Sequence, residues 1–238
     1  MKKPGHVAIM QPYIFPYLGY FHLIEASDLF IFYDDVNYIK KGWINRNRII
    51  LQQEASLFTL PVKQASQNIL IKDTLTSIDR RWKNKFYAKL TQTYQKAPHF
   101  SPVMELIDSS LPKTEDESIA SVAINAIQLI YQYLNHEIKS KRSSDLSPHT
   151  KGMEKAERLI QITKDLGYSA YVNAPGGKEL YNKQDFKNQG IDLHFINSLE
   201  CRYPQFNQEF VPALSIIDVL MFNNIDETKA LLNHFTLE

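Results

Sequence analysis

The sequence predicts an α/β fold: a Rossmann-like parallel sheet with helices on both faces and a mainly helical middle block. Two observations carry the sheet. The chain opens strand–loop–helix–strand, and its last third returns to the same alternation, the order from which parallel sheets are built. A third observation places the middle block, because apolar side chains between about residues 76 and 135 recur at helical spacing. At ~100–200 residues per domain, the 238 residues read as one α/β domain, 1–238, with a polar β insertion at about 36–75.

Val7-Ala8-Ile9-Met10 is an apolar run of strand type. Gln11 to Pro16 cannot lie inside a helix, because Pro12 and Pro16 each lack a donor and restrict the preceding residue. A helix is expected over Leu18 to Ser27. Leu29 to Tyr33 is continuously apolar, as in a strand buried on both faces. In the insertion, Trp43–Leu51 and Leu57–Val62 read as short strands. Ile78, Trp82, Phe86, Leu90 and Tyr94 form a four-residue stripe, an amphipathic helix ended by Pro98 and Pro102. Trp82 is then core, and the cations of Arg80 to Lys85 are surface. Thr114-Glu115-Asp116-Glu117 has the form of a capping box and opens a helix with Ile119, Val122, Ala126 and Ile130 on one face. Glu137–Lys141 follows as a strand. Gly152–Leu166 is a helix, with Gly167 in the C′ position. Ser169–Val172 and Ile191–Ile196 are strands, and Ser215–Phe222 and Asp226–Phe235 are helices.

Hydrophobic residues make up 44% and charged residues 22%, which excludes a disordered or collagen-like chain. No apolar run reaches the ~18 residues of a membrane span. The four apolar residues after Met1–His6 are too few for a secretory signal, so the expected compartment is the cytoplasm. Cys201 is the single cysteine and can form neither an intrachain disulfide nor a multi-cysteine metal site. The seven histidines show no metal-ligand spacing; His22, His194 and His234 sit in apolar patterns and read as packing, and Cys201 as a buried thiol. A net charge of +1 argues against nucleic acid as partner. Residues 36–100 nevertheless hold twelve Lys and Arg against three Asp and Glu. A basic segment on a neutral chain fits either a solvated face or a localised site for an anionic small molecule.

In open parallel sheets ligands bind beyond the carboxyl ends of the strands, where three segments converge. In the first, Gln11, Tyr13, Tyr17, Gly19 and Tyr20 surround a helix N-terminus that favours an anion, and Gly19 would let a ligand approach the backbone. No G-x-G-x-x-G or Walker sequence is present there, so neither dinucleotide nor P-loop chemistry is indicated. The second begins with Asp34 and Asp35. Neighbours on a strand point to opposite faces, so one of them faces the cleft as base, metal ligand or hydroxyl acceptor, with Lys40, Arg46 or Arg48 as ionic partner. Asn37, Lys41, Trp43, Asn45, Arg46 and Arg48 complete it. Arg grips phosphate bidentately, Asn grips an amide or base, and Trp stacks on a ring. The third holds Asn173, Gly176 and Gly177, where a strand gives way to a turn that can cradle an anion; Arg142-Ser143-Ser144-Asp145 has similar potential. Ser215 and Asp218, on an otherwise apolar helix, are either internal hydrogen-bonding groups or a wall of the cleft.

Met10–Phe21, Asp34–Tyr38, Lys41–Ile49, Lys63–Asn68, Ala97-Pro98, Arg142–Ser144, Gly176–Tyr181, Gln205-Phe206 and Leu214–Asn223 together resemble the WbqC-like protein family, across essentially the whole chain. The family is associated with bacterial O-antigen and related surface-polysaccharide clusters. The resemblance implies a transferase that attaches an acyl or aminoacyl unit such as glycyl to the amine of a nucleotide-linked amino sugar. In that reading Arg46, Arg48 and the first helix hold phosphate, Trp43 and Asn45 orient base or sugar, and Asp34 or Asp35 takes or positions the amine proton. If activation uses ATP, Mg²⁺ accompanies it, with the two carboxylates as candidate ligands. Phe15–Tyr20 is also similar to the H-x-G-H region of nucleotidylyltransferases and pantothenate synthetases, with Tyr17 and Tyr20 at the histidine positions. Tyrosine donates to phosphate but supplies no imidazolium charge, so the phosphate-facing geometry is what carries over. The alternatives are therefore an adenylating enzyme of that type and a non-catalytic sugar-nucleotide-binding or scaffold protein.

Overall fold

A computed structural model describes residues 3–114, 116–206 and 209–238. The strands are β1 (Lys3–Met10), β2 (Leu29–Phe32), β3 (Arg46–Leu51), β4 (Glu54–Thr59), β5 (Ser140–Arg142), β6 (Tyr168–Asn173), β7 (Asp192–Ser198) and β8 (Phe235–Leu237). The helices are α1 (Leu18–Glu25), α2 (Arg80–Tyr94), α3 (Phe100–Ser110), α4 (Ile119–Tyr133), α5 (Ser143–Leu146), α6 (Lys155–Asp165), α7 (Lys183–Asn188), α8 (Ile216–Phe222) and α9 (Ile225–Leu232). The main sheet runs β5-β2-β1-β6-β7-β8. Its first five strands are parallel, whereas β8 pairs antiparallel with β7. The parallel expectation therefore holds except at this edge, where the helix expected to Phe235 stops at Leu232 and the chain turns back as a strand.

Side-chain alternation explains the layers. Val7, Ile9, Ile31 and Tyr171 point to the face covered by Leu159 and Ile162 of α6 and by Phe186 of α7. Ala8, Phe30, Phe32 and Val172 point to the other face, where α1 and the helical block of α2 to α4 pack. Helices thus cover both faces. From β1 the chain moves to β2 and then β5 on one side, and it returns to β6 on the other. The reversal lies between β1 and β6, so the loops that leave their carboxyl ends diverge and open a crevice.

The polar insertion is a hairpin, β3 and β4, paired antiparallel from Arg46↔Thr59 to Leu51↔Glu54. Its strands are shifted from the expected spans, because Gln52 and Gln53 make the turn in left-handed conformation, φ 53° and 66°. Two such residues in a row form the turn whose twist matches a two-residue hairpin. In the helical block, Trp82 stacks on Phe86 and donates to the Thr59 carbonyl at 3.1 Å, which fastens α2 to the hairpin. The expected capping box includes Glu115, which lies outside the described residues. Ser118 caps α4 instead, accepting from the Ala120 amide, while Glu117 accepts from the Lys113 amide one turn earlier. The strand expected at Glu137–Lys141 lies at Ser140–Arg142. Gly167 takes φ 75° after α6, as the sequence predicts. His22 is buried and Cys201 partly so, but His234 is exposed on the surface.

Ser215 and Asp218 are internal, and they lock α8 to the rest. The Ser215 hydroxyl donates to the Phe15 carbonyl at 2.7 Å. Asp218, fully buried, accepts from Tyr94 at 2.7 Å, Tyr203 at 2.8 Å and Gln205 at 2.9 Å. Burial pushes its carboxyl above the usual value, and those three bonds offset only part of the rise. A carboxyl raised on folding gives stability that is full below its unfolded pKa, 3.8, and that is lost as pH rises through the folded value. In urea unfolding from pH 4 to pH 8, the stability of wild type minus that of Asp218→Asn should fall as pH rises. A difference that grows with pH would reverse the assignment.

Candidate functional site

The crevice is divided into two clefts. The first, about 800 Å³, is lined by Ile9, Met10 and Gln11 at the end of β1, by Tyr33, Asp35 and Asn37 in the segment after β2, and by Tyr171, Asn173, Gly176 and Gly177 at and after the end of β6; Lys151, Lys155 and Arg158 close it. The second, about 470 Å³, is lined by Tyr13, Tyr17, Gly19, Tyr20, Trp43, Asn47 and Arg48. Met10, Ala174 and Gly176 line both and form the ridge between them. The α6-side residues belong to the first cleft and the α1-side residues to the second, so one lies toward each face of the sheet edge.

The floor of the first cleft is a buried polar cluster. Asp34 and Asp35 lie beyond the end of β2, where strand alternation no longer applies, and both are drawn inward toward the Ser143 hydroxyl. Asp34, 0% exposed, accepts from the Ser144 amide at 3.1 Å, the Ser144 hydroxyl at 2.9 Å and the Ser143 hydroxyl at 3.2 Å, with Arg142 at 3.8 Å. It reaches neither cleft. Asp35 accepts from the Ser143 hydroxyl at 2.5 Å and from an Arg158 guanidinium nitrogen at 2.6 Å, and it lines the first cleft. Arg158, 4% exposed, also donates through Nε to the Thr150 hydroxyl at 3.0 Å and lies 4.8 Å from the Tyr33 ring centroid. A buried carboxylate–guanidinium pair with further hydrogen bonds offsets the desolvation of both ions. The ionic partners are thus Arg158 and Arg142, not Lys40, Arg46 or Arg48. Those three sit in or beside the hairpin, which is held on the α1 side of the sheet.

The two carboxylates do not fit Mg²⁺. A guanidinium and two serine hydroxyls already occupy the positions a cation would take. Among the described residues no group of three His, Cys, Asp or Glu side chains could hold a metal.

Asn173 and the paired glycines form the opposite wall. The Asn173 side chain accepts from the Ala174 amide at 2.8 Å. A Cβ on Gly177 would lie 2.4 Å from Asn173 Nδ2 and 3.3 Å from Phe195, so glycine is needed for the amide to pack there. A Cβ on Gly176 meets nothing within 4 Å; this glycine faces open cleft. Around the rest of the wall, burial raises the hydroxyls of Tyr33 and Tyr181, the Arg158 charge partly opposing it at Tyr33. Both are neutral donors at physiological pH.

In the second cleft the first loop is pinned by Asn47, whose amide donates to the Phe15 carbonyl at 2.7 Å. With Ser215 it holds Phe15 at φ 40°, a strained value for a non-glycine residue. Trp43, 44% exposed, has the Arg46 and Arg48 guanidiniums at 5.8 and 5.7 Å from its ring. Burial, with the Tyr17 hydroxyl adding, pushes Tyr13 up to about 12. Gly19 is not free for a ligand: the Tyr17 ring lies 2.4 Å from the position of its Cβ, so glycine makes room for that ring. Tyr20 lines the cleft, but it is buried and its hydroxyl donates to the Gln11 carbonyl at 2.9 Å, which removes it as a phosphate donor. Asn45 is buried, bonded to the Tyr38 hydroxyl at 2.6 Å and the Leu60 carbonyl at 2.7 Å, and lines neither cleft. Arg46 donates to the Gly42 carbonyl at 2.8 Å, and Lys41 is exposed; they too lie outside both linings.

The family profile of the WbqC-like proteins matches residues 11–230. The chain belongs to the WbqC-like protein family. A relative, the uncharacterized protein Rv1507c of Mycobacterium tuberculosis, is 29% identical over 225 residues, covering 94% of each chain. No solved structure matches the chain. In this WbqC-like protein no described helix is long and apolar enough to cross a membrane.

Arg158, Lys151, Lys155 and Tyr33 escaped the motif reading, and Tyr181 lay inside the Gly176–Tyr181 stretch without a role of its own. Only Arg158 carried a signal, a charge between the apolar positions Ala156, Leu159 and Ile162 on the inner face of a helix. Of the paired glycines, Gly177→Ala should cost about 1–3 kcal/mol by overpacking. Gly176→Ala should lie within about 0.5 kcal/mol of wild type, as at an unconstrained surface site. Urea unfolding of both checks this; equal effects would contradict the packing of Asn173.

Proposed function

We propose that this WbqC-like protein is a transferase of surface-polysaccharide biosynthesis that moves an acyl or aminoacyl group, such as glycyl, onto the amine of a nucleotide-linked amino sugar. The supporting observation is Asp35, the one carboxylate among the described residues lining the first cleft, held by Ser143 and Arg158 beyond the carboxyl end of β2. Each Asp35 oxygen has a lone pair left for a substrate N–H. The amides of Gln11, Asn37 and Asn173 supply neutral donors and acceptors for sugar hydroxyls. Lys151 and Lys155 at the mouth would meet the anionic part of an activated donor.

No serine, cysteine or histidine lines this cleft among the described residues, which favours direct transfer over a covalent acyl-enzyme. The amine nitrogen attacks the acyl carbon of a thioester donor. The C–N bond forms, the C–S bond breaks and its electron pair leaves on sulfur. The amine proton passes through Asp35 to water.

Incubation with acyl and aminoacyl thioesters and UDP-glucosamine, read by mass spectrometry, should show the sugar nucleotide gaining one acyl unit. Asp35→Asn should slow turnover about 10²–10⁴-fold, the span of a lost general base, while circular dichroism shows it folded. Wild-type turnover in that variant would remove Asp35 from the chemistry. Tight sugar-nucleotide binding without product across the donor panel would identify a binding protein instead.

A further inference from the structure

We infer that the second cleft is a separate nucleoside-diphosphate subsite, so that the nucleotide end of one substrate and the donor are held together, one on each side of the Gly176 ridge. The inference deepens the group-transfer reading and rests on it for the assignment of the donor to the first cleft. Assigning the nucleotide to the second cleft stands on that cleft's own chemistry.

Three observations carry it. The first is size: about 800 and 470 Å³, each within the ~300–1,000 Å³ that holds a ligand of its own. The second is the contrast in lining. The first cleft has an apolar rim of Ile39, Met153 and Leu180, exposed by 47, 38 and 66%, which suits an acyl arm. The second presents the rings of Tyr13, Tyr17 and Trp43 with Arg48, the pairing of stacking surface and guanidinium that receives a base and its phosphates.

The third is the state of Arg48. One of its terminal nitrogens donates to the Ala213 carbonyl at 3.0 Å, but its Nε is buried and has no hydrogen-bond partner among the described residues. A buried guanidinium donor without an acceptor is costly, and a rotation of this half-buried, cleft-lining side chain would bring it to a diphosphate oxygen. Asn47, beside it, already donates to Phe15 and accepts from the Arg48 amide at 2.8 Å, so it fixes the strand that carries Arg48 and does not compete for the phosphate. Gly176 then has a role that packing does not give it. It lines both clefts with open space where a side chain would stand, and the sugar can cross there toward Asp35.

The chain's two tryptophans make the test direct. Trp82 is stacked on Phe86 in the helical block and lines neither cleft, so Trp82→Phe leaves Trp43 as sole reporter. Calorimetry with the diphosphates of adenosine, guanosine, uridine, cytidine and thymidine should find at least one that binds, and that ligand should quench Trp43. Trp43→Ala and Arg48→Met should each weaken it about tenfold or more. Lys151→Ala/Lys155→Ala, at the mouth of the first cleft, should leave its affinity within twofold. Gly176→Leu, on the ridge between the clefts, should weaken the corresponding sugar nucleotide more than the nucleoside diphosphate. No binding by any of the five, binding without Trp43 quenching, or loss of binding in the lysine pair variant would overturn the subsite. Binding that follows this pattern without any transfer activity would retain the subsite and remove the transferase reading.

Discussion

The buried pair of Asp35 and Arg158 is the constraint on which the first cleft depends. Asp35 lies three residues beyond β2, Arg158 projects from α6, and Ser143 joins them from the start of α5. One carboxylate therefore ties three segments that are far apart in sequence. Asp34 adds Ser144 and the end of β5 to the same cluster. The other buried residues of α6 are Leu159, Ile160, Ile162 and Thr163, whose hydroxyl is used inside the helix, and apolar burial by itself has no directional preference. The pair is 2.6 Å long and almost sealed from water. Such pairs add little net stability over an apolar replacement, but losing one partner strands the other ion. Their contribution here is placement: they aim one carboxylate into a cleft and seal the other below it.

The second constraint is the strained loop after β1. Asn47 and Ser215 both donate to the Phe15 carbonyl, and the Ile14 amide donates to the Ile44 carbonyl at 3.0 Å. The hairpin, the first loop and α8 are consequently one rigid wall, and Trp43 and Arg48 stand on it. Rigid walls around each cleft lower the entropy lost when a ligand is ordered there.

Much of the sheet was legible because burial writes itself into sequence. Leu29–Phe32 is apolar on both faces, and Gly167 follows α6 where a left-handed residue is needed. β8 was illegible, since three residues at a sheet edge carry no period. The hairpin boundaries shifted because a left-handed Gln-Gln turn has none of the usual Gly or Asn markers. At the site, convergence of the three segments followed from topology, and Asp35, Gln11, Asn173, Gly176, Trp43 and Arg48 all line a cleft. Asn45 and Arg46 were misplaced for one reason: a dense polar cluster looks the same in sequence whether its groups face a ligand or the protein's own carbonyls. Arg158 was missed because its partner is 123 residues away and no local pattern announces a long-range pair.

The claim that Asp35 and Arg158 act as a unit is tested most directly by a double-mutant cycle on stability, with Asp35→Asn, Arg158→Met and the combined variant unfolded in urea at pH 7. Each single substitution should cost about 3–5 kcal/mol, the penalty of an ion left buried without its partner. The double variant should cost well under their sum, with a coupling of about 1–3 kcal/mol. Strictly additive losses would mean that the two side chains do not depend on each other, and the floor of the cleft would need another explanation.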